Sequence, residues 1–153
     1  MIDEELIVMI VEALGLPEDV AQLALEIARK SRVRKCIEGA AVVLAARKLG
    51  YHVPLKKVAM LSGCRRGLFR SLRKLGVPPP SARGLAEYAL RRAGLDGEEL
   101  ERILERVPDE PMSATDLIIL LNRHSPVPLR VLCEELGVTV DTVKDRTSGG
   151  RGR

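Results

Sequence analysis

The sequence predicts an all-α fold built as two tandem five-helix repeats, each ending in a helix-turn-helix. Three observations carry this. Apolar residues recur at helical spacing along the whole chain, and no stretch shows the sustained alternation that a half-buried strand needs. Near the middle, Val77-Pro78-Pro79-Pro80-Ser81 interrupts the pattern, and three consecutive prolines lack amide donors and favour a stiff, extended spacer. The segment from Val53-Pro54-Leu55 to Gly63 returns as Val127-Pro128-Leu129 to Gly137 at a constant offset of 74, and the Gly15-Leu16 stop returns as Gly94-Leu95. The expected organisation is a first repeat over 1–77, a proline-rich linker over 78–81 and a second, divergent repeat over 82–146. A disordered tail is expected over 147–153, which contains no apolar residue.

Each element has its own signals. Leu6, Met9, Ile10, Ala13 and Leu14 form a first stripe, stopped at Gly15. After Pro17, Glu18 and Asp19 suit a helix N-terminus, and Val20, Leu23, Ala24, Ile27 and Ala28 repeat at the spacing of an amphipathic helix. The third helix, from about Cys36 to Leu49, is apolar on every side, which predicts a buried central helix whose alanines let neighbours approach closely. Pro54 opens a short fourth helix ended by Gly63, and a fifth carries Leu68, Phe69, Leu72 and Leu75 as its core face before Gly76. In the second half helices are expected near 82–93, 97–107, 113–123, 128–136 and 139–146, with Ser113 and Asp116 spaced as a capping box.

Composition excludes several classes. With 153 residues the chain is too short for a large multidomain enzyme, and no apolar run approaches the roughly 18 residues that a membrane helix needs. The acidic start, Asp3-Glu4-Glu5, has the wrong charge order for a secretory signal, so a soluble, cytoplasmic protein without a membrane partner is expected. Cys36, Cys64 and Cys133 are odd in number and far apart, which argues against a disulfide framework and against a zinc knuckle. Cys64, near the start of the basic fifth helix, is expected to pack at the turn rather than to react. Tyr51, Phe69 and Tyr88 are too few for a base-stacking platform. His52 and His124 lack a ligand pattern, and no phosphate loop, dinucleotide fingerprint or nucleophile elbow occurs. A non-enzymatic protein with no catalytic residue, metal or cofactor follows. The acids Glu98, Glu99, Glu101 and Glu105 are expected to form an exposed face pairing with Arg102 and Arg106.

Charge is unevenly distributed. Residues 1–80 carry 14 Lys/Arg against 8 Asp/Glu, whereas residues 81–153 carry 11 against 13. All 14 basic residues of the first half lie between Arg29 and Lys74, where the one acid is Glu38, so this span alone is near +13. Such a field suits an anionic partner, and nucleic acid is favoured because every phosphate neutralised releases condensed counterions.

The helix-turn-helix pattern occurs twice. Ala59, Gly63 and Phe69 keep the same intervals as Cys133, Gly137 and Val143: a small residue where the helices cross, a glycine in the turn, and an apolar residue to pin the second helix. With Leu68, Phe69, Leu72 and Leu75 inward, Arg66, Arg70, Arg73 and Lys74 project outward, a face able to enter a major groove. Arginine can fork onto guanine or phosphate, while lysine acts as a point charge. Lys56, Lys57 and Arg65 around the turn, and Arg32, Arg34 and Lys35 before the third helix, are candidate phosphate contacts. In the second copy the candidates are Arg130, Thr139, Thr142, Lys144 and Arg146, diluted by Asp141 and Asp145.

The first repeat resembles the cyclin-fold core repeats of archaeal transcription factor B and its eukaryotic counterpart. The likeness rests on Leu14-Gly15-Leu16-Pro17, on Cys36-Ile37-Glu38-Gly39-Ala40-Ala41 with Leu44-Ala45-Ala46-Arg47, and on Val53-Pro54-Leu55-Lys56-Lys57-Val58-Ala59 with Ser62-Gly63. It covers residues 5–77 and extends more weakly over 82–146. The resemblance implies a double-stranded DNA-binding protein, with TATA-binding protein or the RNA polymerase machinery as further partners, and it places a promoter-reading helix on residues 139–146. These 153 residues hold no counterpart of that family's zinc ribbon or polymerase linker, which points to a transcription regulator or a reduced initiation-factor paralogue. The alternative is a cyclin-like protein-interaction module that holds an acidic partner without DNA.

Overall fold

A computed structural model describes the backbone of residues 2–151 and the side chains of residues 2–147. Among these residues every regular element is helical: α1 Glu4–Ala13, α2 Glu18–Lys30, α3 Ile37–Lys48, α4 Leu55–Ser62, α5 Leu68–Lys74, α6 Ala82–Arg92, α7 Gly97–Leu104, α8 Ala114–His124, α9 Leu129–Leu136 and α10 Val140–Arg151. The chain divides into two compact units, Met1–Pro79 and Pro80–Arg153, so the break falls inside the run of three prolines. Five of the helices lie in each unit. No described helix is long and apolar enough to cross a membrane.

In the first unit α3 is the centre, packed by α1, α2, α4 and α5. Its Ile37, Gly39, Ala40, Ala41, Val42, Val43, Ala45 and Ala46 are all buried, as a helix apolar on every side requires. Close approach is visible at Gly39, where a Cβ would meet Val58 Cγ1 of α4 at 3.1 Å and Ser62 Cβ at 3.3 Å. Asp3 caps α1 by accepting from Leu6 N at 3.0 Å, and the two forks of Arg29 on α2 bond Glu4 at 2.9 and 3.0 Å. Foremost through that hydrogen bond, Arg29 holds the Glu4 carboxyl below its ordinary value. At the far end of α3, Arg47 Nη1 donates to Pro78 O at 3.0 Å and so holds the end of the unit.

Two helical faces differ from the expectation. On α1 the buried residues are Ile7, Ile10 and Val11, followed by Leu14, while Met9 is exposed. The core stripe thus starts one residue later than expected; both registers have helical spacing, and packing on α3 decides between them. On α2 the buried set is Val20, Ala21, Ala24 and Ala28. Leu23 and Ile27 sit at the edge, where they line a cavity of about 490 Å³ with Val33, Lys74 and Leu75.

The second unit buries Leu117, Ile118 and Leu121 of α8 completely, together with Leu90, Leu100, Leu132 and Leu136 from α6, α7 and α9. Ser81 and Ser113 cap α6 and α8, accepting from Gly84 N at 3.0 Å and Asp116 N at 3.1 Å. Ala82 N donates to Glu110 O at 2.8 Å and Arg83 N to Pro108 O at 3.1 Å, which ties the α7–α8 connection to the start of α6. Burial pushes the Tyr88 hydroxyl up to about 12, and the Arg92 guanidinium lies 5.9 Å from the centre of that ring. The last helix continues beyond the expected end at residue 146, through 151. Backbone hydrogen bonding needs no apolar side chain, and Thr147 Oγ1 adds a bond to Val143 O at 3.0 Å. The rest of the expected tail, 152–153, lies outside the described residues.

Candidate nucleic-acid interface

The basic span of the first unit becomes a surface because two segments distant in sequence are fastened together. Helix α4 stops at Gly63, whose φ of 70° lets the chain reverse, and Cys64 N then donates to Ala59 O at 3.2 Å. The turn leads through Arg65 and Arg66 to Gly67, at φ 93°, and into α5. Opposite lies the α2–α3 loop with Arg32, Arg34 and Lys35.

Three ties hold the loop to the turn and helix. Cys36 and Cys64 form a disulfide with Cα atoms 5.7 Å apart, closing 28 residues of sequence. Ser71 Oγ of α5 donates a short hydrogen bond to Lys35 O. The Lys35 stem lies over Gly67, where a Cβ would come within 2.9 Å of Lys35 Cε. Both bridge sulfurs also sit close to Arg66 O, at 3.3 Å for Cys36 and 3.5 Å for Cys64. The bridge corrects the expectation drawn from cysteine number: an odd count excludes full pairing, yet it leaves room for one bridge and one free thiol, here the buried Cys133. Cys36 itself has φ 58°, the one positive φ among described residues other than glycine.

Helix α5 is rotated from the expected face. Leu68, Ser71 and Leu72 are buried, whereas Phe69 is 45% exposed. Ser71 tolerates burial because its hydroxyl is spent on the Lys35 carbonyl. Phe69 therefore does not pin the helix but stands outward beside Arg70, Arg73 and Lys74.

The expected contact residues divide clearly. Arg32, Arg34, Lys35, Lys56, Arg65, Arg66, Arg70, Arg73 and Lys74 are exposed. None of them pairs with a carboxylate among the described residues. The loop, turn and α5 bring most of them to one region, while Lys56 stands on α4. Lys57 is a correction: it is only 9% exposed, on the face that α4 turns inward with Val58 and Ala59. Competing acids are scarce, since residues 39–86 contain none and Glu38 accepts from Asp3 N at 3.0 Å.

The second unit offers less. Thr139 Oγ1 accepts from Thr142 N at 3.2 Å and meets Thr142 Oγ1 at 2.7 Å, so both hydroxyls serve the start of α10. Arg146, a candidate contact, pairs with Asp116 at 2.7 Å on the surface. Arg130 and Lys144 are exposed, and Lys144 shares its helix with exposed Asp141 and Asp145. Among the described residues no group of three or more His, Cys, Asp or Glu is placed to hold a metal ion.

Sequence reasoning missed the disulfide and the outward Phe69. The first had a signal, one cysteine just before α3 and another just after α4; the second had none, because Leu68 and Phe69 are equally apolar.

No protein-family model matches the chain, and neither a curated protein nor a solved structure does.

Proposed function

We propose that this protein binds double-stranded DNA through its first unit, as a transcription regulator or reduced initiation-factor paralogue made of two cyclin-like, five-helix repeats of the transcription factor B kind. The observation that carries the reading is the fastening of the α2–α3 loop to the helix-turn-helix, which gathers Arg34, Lys35, Arg65, Arg66 and Arg70 with no carboxylate bound to any of them. Its chemistry suits a phosphate backbone. Forked guanidinium groups on a tied backbone bond phosphate oxygens and release counterions. The exposed Phe69 adds an apolar surface for a sugar or a thymine methyl group. TATA-binding protein and the polymerase machinery are the partners that the family likeness suggests.

A second reading has one observation behind it. The 490 Å³ cavity joins Leu23, Ile27, Val33 and Leu75 to Arg32 and Lys74, with Lys30 paired to Glu26 at 3.8 Å in the same lining, a combination suited to an acidic protein segment with an aliphatic anchor. Salt separates the two. About five phosphate contacts predict a slope of about −4.5 in log affinity against log salt. Fluorescence anisotropy with a random duplex should therefore show a loss of about 500-fold in affinity between 50 and 200 mM salt. Absence of duplex binding at 50 mM salt would reject the DNA reading and leave the acidic-segment module.

A further inference from the structure

A second cluster of cationic side chains lies in the other unit and plays no part in the reading above. Arg102 in the last turn of α7, Arg106 just beyond it, and Arg123 and His124 in the last turn of α8 converge on a cavity of about 300 Å³, backed by Ile103 and Pro126. Glu99 is the one carboxylate in its lining. Elsewhere in this unit four arginines are paired, Arg83 with Asp109, Arg91 with Glu87, Arg92 with Glu135 and Arg146 with Asp116, while Arg130 on α9 stands alone among the described residues. Arg102, Arg106 and Arg123 make no ion pair or hydrogen bond among the described residues, although Glu98, Glu101 and Glu105 stand within a turn or two on α7 and its end. The pairing of α7 acids with Arg102 and Arg106 that the sequence suggested is thus not formed.

Favourable interaction with a helix C-terminus accounts for a basic residue in a last turn, but it does not account for two helix ends turning their basic residues into one cavity. Three exposed guanidinium groups lining one cavity repel one another, and an anion between them relieves that repulsion. We propose that this cavity is a binding site for a phosphate-bearing dianion. Two features select the class. The planar guanidinium fork matches phosphate oxygens two at a time, and the His124 ring nitrogens supply a further polar contact. Three arginines against Glu99 leave a balance of two positive charges, and a cavity of this size lies at the small end of ligand pockets, suited to one or two phosphate groups rather than a large cofactor. The phosphates can come from a free phosphate ester or diphosphate, or from a nucleic-acid backbone; the chemistry recognised is the same.

The test uses the full chain and inorganic pyrophosphate, titrated by calorimetry at low salt. Wild type is expected to bind one equivalent saturably. Arg106→Gln/Arg123→Gln, checked for folding by circular dichroism, should bind at least about 10-fold more weakly, because two charge-assisted contacts are lost. Glu99→Gln keeps the fold-bearing residues untouched and should bind more tightly, since it removes the one carboxylate that lines the cavity. Duplex binding by the arginine variant then separates the sources: a parallel loss assigns a backbone phosphate, and an unchanged duplex affinity assigns a free one. No saturable pyrophosphate binding by wild type, or equal affinity in all three proteins, overturns the proposal. It does so without bearing on DNA binding by the first unit, which the Arg66, Arg70 and Arg73 face reports separately.

Discussion

Arg66→Glu/Arg70→Glu/Arg73→Glu is expected to lower duplex affinity by at least about 100-fold at 50 mM salt, and to flatten the salt dependence by about 3 in slope. The three side chains are exposed, and none is bonded to a carboxylate, so their replacement costs no internal contact and should leave the helical circular dichroism signal unchanged. The sign of the effect follows from charge alone: three favourable phosphate contacts become three repulsive ones. The slope distinguishes lost contacts from a damaged fold, since a partly unfolded protein would bind less without altering how many counterions each complex releases. Duplex affinity within about 3-fold of wild type in the folded variant would show that the basic face does not touch DNA.

Reducing the Cys36–Cys64 bridge is expected to lower the free energy of unfolding by about 3.5 kcal/mol, from the loop-closure entropy of the 28 residues it encloses. Urea denaturation with and without dithiothreitol reads this directly. Cys36→Ser/Cys64→Ser should behave as the reduced protein and should no longer respond to reductant. Cys133 is buried and unpaired and contributes nothing to the difference. The same reduction should weaken duplex binding several-fold, because the α2–α3 loop with Arg34 and Lys35 then keeps only the Ser71 hydrogen bond and the packing over Gly67. Identical urea midpoints in the two conditions would mean that the bridge constrains nothing that the core does not already constrain.

These effects show which features were legible in the sequence. Helix α3 announced itself, because a helix apolar on every side has no stable place except between others. Turns at Gly63 and Gly137 were equally visible, both in the left-handed region that an ordinary side chain resists. Rotation about a helix axis was less visible. On α1 two adjacent stripes were both apolar, and on α5 Leu68 and Phe69 competed for one core position; in each case a partner helix made the choice. Lys57 and Arg146 show the same limit for charge. A basic residue reads as exposed and free until the fold turns it inward with Val58 or sets Asp116 2.7 Å away. The convergence of Arg102, Arg106, Arg123 and His124 depends on how two helix ends meet, which no local pattern contains.

The most direct test of DNA binding by the first unit is an amide ¹H–¹⁵N NMR titration of the full chain with a short duplex at low salt. Shifts are expected at Arg32 to Lys35, at Cys64 to Gly67 and along Phe69 to Lys74, with the core of α3 unmoved. Shifts confined to the second unit, or none at a duplex excess, would contradict the account.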